Sequence, residues 1–297
     1  MASPTTPMHG KLGALYVLRP NGFSGNGLND ATWGTGSSAA DLTYYEVVID
    51  GAGTPDTFKW RVNGGAWTET VAITGAAQVL ADAQTITFAA TTGHTAADQW
   101  VIGNLKDEET TVATVYAQIT DATSGILNPN APPVWTPTNS VQQLAVNYTN
   151  GTLTCSAAPG VTTVTGNNGF IPSVALRKVA YLIDWSLNIT VDMADASRMG
   201  QNWKETLPGQ ASATGSANAY FIGSDTLLSC LQEAIAAGDK YFLLQLFNYD
   251  PDQDQTGDHI NAWVTFTSFQ VGADIGSVVK EAINFQVHSE ISFTANA

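Results

Sequence analysis

Residues 181–192, YLIDWSLNITVD, alternate apolar and polar side chains almost without interruption, and this stretch constrains the fold more than any other. Tyr181, Ile183, Trp185, Leu187, Ile189 and Val191 fall on one side; Leu182, Asp184, Ser186, Asn188, Thr190 and Asp192 fall on the other. Successive side chains of a strand project to opposite faces, so the period predicts a long strand with one buried face and one wet face. The end of the chain repeats the device over 281–293, where Ile283, Phe285, Val287, Ile291 and Phe293 oppose Asn284, Gln286, His288, Glu290 and Ser292. Two such strands predict a sheet with an apolar underside and a long polar surface.

The apolar side needs cover, and residues 224–237 read as the helix that gives it. Ser224 can cap its start, Leu227, Leu228, Leu231 and Ile235 recur at helical spacing, and Gly238 stands where a helix stops. A helix with one apolar stripe covers one face of a sheet. The expected core therefore joins Trp185, Leu187, Ile189, Phe285 and Val287 to Leu227, Leu231 and Ile235, while Asp184, Ser186, Asn188, Thr190, Asp192, Asn284, Gln286, His288 and Glu290 need water. The run YFLLQLF at 241–247 is apolar on both faces, as a fully buried strand would be.

Upstream, residues 11–18 read as a first strand. Residues 21–41 are small residues and turn formers, which suits a linker or exposed arm, or equally a surface loop. Between 44 and 103 lie five short strand patterns, and Asn63-Gly64 between two of them suits a primed hairpin turn, which wants positive φ at both central positions. The expectation is a small β-sandwich over 43–103, inserted into a larger domain formed by 1–42 and 104–297. The prolines of 124–139 argue against a central strand there; further strands are expected near 143–148, 152–155 and 211–222. The fold class is mainly β: a sandwich or barrel with one flanking helix and a small all-β insertion.

Only 12% of the 297 residues are charged, and 26 Asp and Glu against 11 Lys and Arg leave a formal net charge of −15. That sign repels a phosphate backbone, so gripping nucleic acid is disfavoured while nucleic acid passing by is not. Cys155 and Cys230 make no disulfide framework and read as reduced, partly buried thiols. There is no basic segment followed by an apolar one at the start and no run long enough for a membrane span, so cytoplasmic synthesis and no membrane partner are expected.

Catalytic and metal patterns are missing from the sequence. Asp250, Asp252 and Asp254 alternate, but an EF-hand would need Gly and Glu where Gln255 and Asn261 stand. A solvated hairpin tip is the favoured reading of 250–258, with a looser calcium site left open. His9, His94, His259 and His288 show no paired ligand spacing, and no nucleophile elbow, phosphate loop or dinucleotide fingerprint is present. Neither an enzyme nor a cofactor is expected.

The C-terminal part resembles the major tail tube protein of long-tailed bacteriophages. The resemblance rests on the long strand with its central Trp185, on the D-x-S-x-M-G-x-x-W segment from Asp195 to Trp203, on a Gly and Ser stretch, and on the ending VVKEAINFQVHSEISF. It spans roughly 174–296. It implies a β-sandwich with a flanking helix, six copies joining their inner sheets into one barrel, and rings stacking into the tube through which double-stranded DNA leaves the virion. The polar residues above would then face the lumen. The resemblance also implies tape measure, tail terminator and tail tip proteins as partners besides the chain itself, with DNA in transit and not tightly bound. The 43–103 segment is extra and is expected on the tube exterior. Two other readings stay open: the inner tube of a contractile injection system, and a surface adhesin or carbohydrate-binding β-protein using Trp33, Trp67 and Trp100.

Overall fold

The computed structural model describes residues 14–18, 22–34, 41–112, 115–119, 126–160, 162–172, 176–195, 206–220, 240–247, 259–272, 280–288 and 291–294, together with Gln232 and Ala236. Strand β1 (Ala14–Leu18) stands apart in sequence from the strands it joins. Then come β2 (Phe23–Ser24), β3 (Ala31–Trp33), β4 (Asp41–Gly51), β5 (Thr57–Val62), β6 (Thr68–Ala72), β7 (Gln78–Val79) and β8 (Thr85–Phe88). They are followed by β9 (Gln99–Val112), β10 (Tyr116–Ile119), β11 (Val134–Pro137), β12 (Gln143–Asn147), β13 (Thr152–Cys155) and β14 (Thr162–Phe170). The last group is β15 (Leu176–Asp195), β16 (Thr206–Tyr220), β17 (Phe242–Phe247), β18 (His259–Gly272), β19 (Lys280–Val287) and β20 (Ser292–Thr294). The molecule is mainly β, as the sequence predicts.

The first sheet runs β17-β1-β15-β16-β19-β18-β20, and β17 also pairs with β18. Six strands therefore close into a barrel, which removes most of the unpaired backbone that an open sheet would present. Its interior holds Ala217, Ala219, Phe242, Leu244, Leu246, Ala262, Val264, Ile283 and Phe285, with Trp185, Leu187, Phe266, Phe269 and Val287 packed against them. The expected helix lies almost wholly outside the described residues, including Leu227, Leu231 and Ile235; Gln232 and Ala236 are helical and exposed.

Residues 22–172 build the other two sheets. One sheet runs β12-β13-β10-β9-β4-β5-β6, with β2, β11 and β14 attached through β9, and β3-β8-β7 faces part of it. Strand β9 passes from one core to another. Near its start Trp100 and Ile102 join Tyr45, Val47, Phe58, Ile86 and Phe88. Further on Leu105 joins Ala117, Trp135, Leu153, Val164 and Phe170. Strand β9 runs straight through position 103, where the expected insertion ends, and residues on both sides of that position pair with β4 and β14. Local patterns locate these strands, whereas their sheet membership depends on partners remote in sequence.

Several local readings match. Asn63 and Gly64 have φ of 48° and 68°, and Gly65 N–H donates to the Val62 carbonyl at 2.8 Å, closing the hairpin between β5 and β6. Strand β11, which ends at Pro137, pairs with β14 alone. Residues 22–34, in contrast, form no arm. Phe23 and Ala31 are buried in the first module core, and Asp98 accepts hydrogen bonds from the Asn26 and Gly27 backbone at 3.1 Å each and from Thr95 N–H at 2.8 Å. A Cβ on Gly25 would stand 2.8 Å from the Asp98 carboxyl carbon, so the small residues that looked like a linker let backbone wrap a buried carboxylate.

The same pole carries a second anchor. The His94 side chain is fully buried, with Nδ1 3.0 Å from Asp56 and Nε2 2.9 Å from Asp30. Asp56 also accepts from Gly53 N–H at 2.6 Å and from His94 N–H at 3.0 Å. These contacts, led by the Gly53 N–H, hold the Asp56 carboxyl below the usual range. One imidazole thereby ties together the loops that hold Asp30, Asp56 and His94.

Two outcomes are expected. Replacing His94 with Ala leaves Asp56 and Asp30 without their shared partner and should cost about 3–5 kcal/mol by denaturant unfolding. Because the Asp56 pKa is lowered on folding, its contribution is present above the unfolded carboxylate value and should fade as pH falls through the lower folded one. Separately, Leu18 pairs with Leu176 across β1 and β15, so replacing 19–175 by an Asn-Gly turn, with Leu243 and Trp263 changed to Thr, should leave a folded barrel by circular dichroism. Loss of all β signal would show that the barrel needs the module to fold.

Candidate assembly surface

Four neighbouring strands, β15, β16, β19 and β18, make the sheet on which the polar residues lie. Cross-strand partners share a face, and the register aligns them in rows. Ser186, Ser216, Asn284 and Ser268 form one row; Asn188, Thr214, Gln286 and Thr265 form the next. A third holds Asp184, Asn218, Ala282 and Gln270, so Asp184 is the one acidic side chain of the three rows. Neighbours along the rows satisfy one another: Ser186 and Ser216 hydroxyls lie 2.9 Å apart, Asn284 Nδ2 donates to Ser268 at 2.7 Å, and Asn218 Nδ2 donates to Asp184 at 2.6 Å. The Thr190 and Ser212 hydroxyls, 2.9 Å apart, extend the pattern. The outcome is a nearly neutral, self-bonded polar surface.

The underside of the same strands packs the barrel core. On β16 that side carries only small residues, Ala213, Gly215, Ala217 and Ala219, which make room for Trp185, Leu187 and Phe285 from its neighbours. A Cβ at Gly215 would stand 2.6 Å from Phe285 Cε2 and 2.7 Å from the Ser186 carbonyl oxygen, so the ring lies directly over the glycine. Two bulges adjust the alternation. The shift between Leu182 and Asp184 falls at the one apolar residue on the polar side of the sequence pattern, and the shift between Phe266 and Ser268 lets Phe266 and Phe269 both pack inward.

The long strands outrun the barrel. Strand β1 covers β15 only to Tyr181, and β17 covers β18 only from His259 to Val264. Among the described residues, 182–195 of β15 and 265–272 of β18 therefore have one open edge each. The β15–β16 hairpin also projects past β19, whose pairing with β16 starts at Thr214. On the apolar side of this projection Ile189, Val191 and Met193 are 59%, 47% and 59% exposed, and Leu207 on β16 and Val271 on β18 are exposed too. Ile189 thus differs from the core position that the period assigns it: its strand has left the barrel, and the side chain is exposed.

Of the expected surface residues, Asp184, Ser186, Asn188, Thr190, Asp192, Asn284 and Gln286 are exposed on these strands, and Glu290 lies outside the described residues. His288 departs from the row. It follows the end of β19, and its ring stacks on Tyr241 at 3.8 Å and 18°, beside β12 and β13 of the module. Burial there pushes its imidazole below the usual range. Residues 250–258 lie outside the described residues, and among the described ones there is no cluster of three acidic, His or Cys side chains suited to a metal. Cys155 is a buried free thiol, and burial pushes it up. Trp100 is fully buried, Trp33 is half-buried against the first module core, and Trp67 is covered by Arg61 at 4.3 Å and Lys59 at 4.9 Å, so the three tryptophans form no open platform.

The barrel meets the module on its other side. Leu243 and Trp263 point away from the barrel interior and pack with Val101 and Ile171, flanked by Tyr44, Ile126, Tyr148 and Tyr241. Asn130 fastens this contact: its Oδ1 accepts from Lys240 and Tyr241 N–H at 3.1 and 3.2 Å, and its Nδ2 donates to the Tyr241 carbonyl at 2.7 Å. No sequence pattern singles out Asn130, because its partners lie more than a hundred positions away.

No protein family and no curated protein matches the chain by sequence. Among solved structures, it is similar to the tail of an empty gene transfer agent particle refined with C6 symmetry, at 20% identity over 41% of this chain and 89% of that one, with a TM-score of 0.34. It is similar to the SPP1 tail tube at 11% identity over 58% of this chain and 80% of that one, with a TM-score of 0.31. It is also similar to a component of the anti-feeding prophage baseplate, at 11% identity over 37% of this chain and 77% of that one, with a TM-score of 0.30.

Glu281 sits on the core side of β19, 2% exposed, with Oε1 lacking a hydrogen-bond partner among the described residues. Burial raises its pKa. A carboxyl whose folded pKa is raised favours folding below its unfolded value and opposes it as pH rises through the folded one. Glu281→Met should therefore stabilise the chain by about 1–3 kcal/mol at pH 7, with a smaller gain at pH 4, read by thermal melting at both.

Proposed function

We propose that this chain is a structural subunit of a viral tail tube. The carrying observation is a single sheet that has a nearly neutral polar face, two open edges and a hairpin with bare apolar side chains. An isolated chain gains nothing from that combination, because open edges and exposed apolar residues promote indiscriminate association. Copies arranged in a ring remove the problem together: the 265–272 edge of one copy pairs with the 182–195 edge of the next, and Ile189, Val191 and Met193 are covered by the neighbouring copy. Six copies per ring and ring-on-ring stacking follow the resemblance stated from the sequence.

In such a ring the polar rows line the channel. Hydroxyls and amides that already bond one another offer a phosphate backbone little to hold, and Asp184 with Asp192 adds mild repulsion. Double-stranded DNA would pass without sticking during ejection. The module packs on β17 and the first part of β18, and β17 lies three strands from β16 in either direction around the barrel, which supports a place for the module on the tube exterior. Self-association then supplies the main partner, with tape measure, tail terminator and tail tip proteins at the tube ends and the virion tail as the location. The role is mechanical and needs no catalytic group.

Electron microscopy and light scattering across a concentration series test this reading. Hollow rings or tubes wide enough for a DNA duplex are expected from the unaltered chain. The double variant Ile189→Asp, Val191→Asp should keep its strand content and remain monomeric, since both positions are already wet in the single chain. A chain that stays monomeric at every concentration, or a double variant that assembles normally, would refute the proposal.

A further inference from the structure

We infer that the cleft between the module and the end of β19 is a binding site for a neutral saccharide. The cleft holds about 290 Å³ and is lined by Ala145, Asn147, Tyr148, Asn150, Thr152, Thr154 and His288. Its floor is one face of the β13–β12 pair, where Thr154 stands opposite Ala145 and Thr152 opposite Asn147. Tyr116, 44% exposed, extends that floor from β10 as the other partner of Thr154. The His288 ring, held by its stack on Tyr241, supplies the opposite rim.

The chemistry of the lining selects the ligand class. Among the described residues no Lys, Arg, Asp or Glu borders the cleft, which leaves an anion without a countercharge and a cation without a hard carboxylate there. An apolar peptide would have to strip water from Thr152, Thr154 and Asn150 and return nothing. Among the described residues, no protein group hydrogen-bonds those three side chains. Each hydroxyl offers one donor and two acceptor sites, and the Asn150 amide offers both kinds. Sugar hydroxyls present the same mixed valence, while the flat faces of Tyr116 and His288 suit the apolar C–H face of a sugar ring. Specific ligand sites commonly combine aromatic walls with a few polar groups in this way. Burial lowers the His288 pKa, which favours the neutral ring. This inference does not rest on the tube reading, and the cleft is complete within one chain.

Isothermal titration of the full chain at pH 7 with maltotetraose, cellotetraose and chitotetraose tests it, with inorganic polyphosphate as the anionic comparison. Saturable binding of at least one tetrasaccharide and none of polyphosphate is expected. Thr152→Val with Thr154→Val keeps β-branched shape on the strand and should weaken binding at least about tenfold, equivalent to 1.4 kcal/mol. His288→Ala should weaken it comparably while the melting temperature stays near that of the parent. Absence of binding to all three sugars, binding that survives both variants, or binding of polyphosphate in their place would overturn the inference.

Discussion

The architecture depends on β17 pairing on both sides, with β1 and with β18. That double pairing closes the barrel and explains why 241–247 shows no alternation. Phe242, Leu244 and Leu246 fill the interior, while Leu243 meets the module together with Trp263. A strand packed on both faces is mostly apolar, and on β17 only the half-buried Gln245 is polar. Because β17 is short, closure engages only the first part of β18, and β1 likewise engages only the first part of β15. The unpaired remainders of the two long strands are thus a product of closure by short partners.

Those remainders define the proposed assembly surface. Each side of the sheet is adapted to a different medium, polar rows on one and small residues beneath aromatic rings on the other. Gly215 joins the two requirements, since its missing side chain admits Phe285 below while its neighbours Thr214 and Ser216 stay in the polar rows above. Where the hairpin leaves the barrel, the alternation continues with no core to receive it. In the proposed ring the apolar side chains there are covered by a neighbouring copy.

The module is more than a pendant. It is anchored through an apolar contact around Trp263 and a backbone clamp by Asn130, and its two cores share β9. The pole of the module that carries His94 and Asp98 is held by buried electrostatics, where loops rather than strands must be fastened. The cleft beside His288 sits at the junction of these parts. Neither barrel nor module contains it alone.

The sequence by itself determined the faces. Period-two alternation named the strands of 181–192 and 281–293, separated Trp185 and Phe285 from Asn188 and Gln286, and marked the Asn63-Gly64 turn, because each of these follows from local geometry. Tertiary structure decided what the faces meet. Whether Ile189 is core or interface depends on where β1 and β19 end, and whether His288 joins the polar rows depends on Tyr241. The extent of the module was likewise set by long-range pairing, since β9 reads locally as an ordinary strand and becomes the bridge between two cores only through partners on both sides. Residues 22–34 were the least legible: a run of glycines looks the same whether it is loose or wrapped tightly around a buried carboxylate such as Asp98, and the carboxylate lies some seventy positions away.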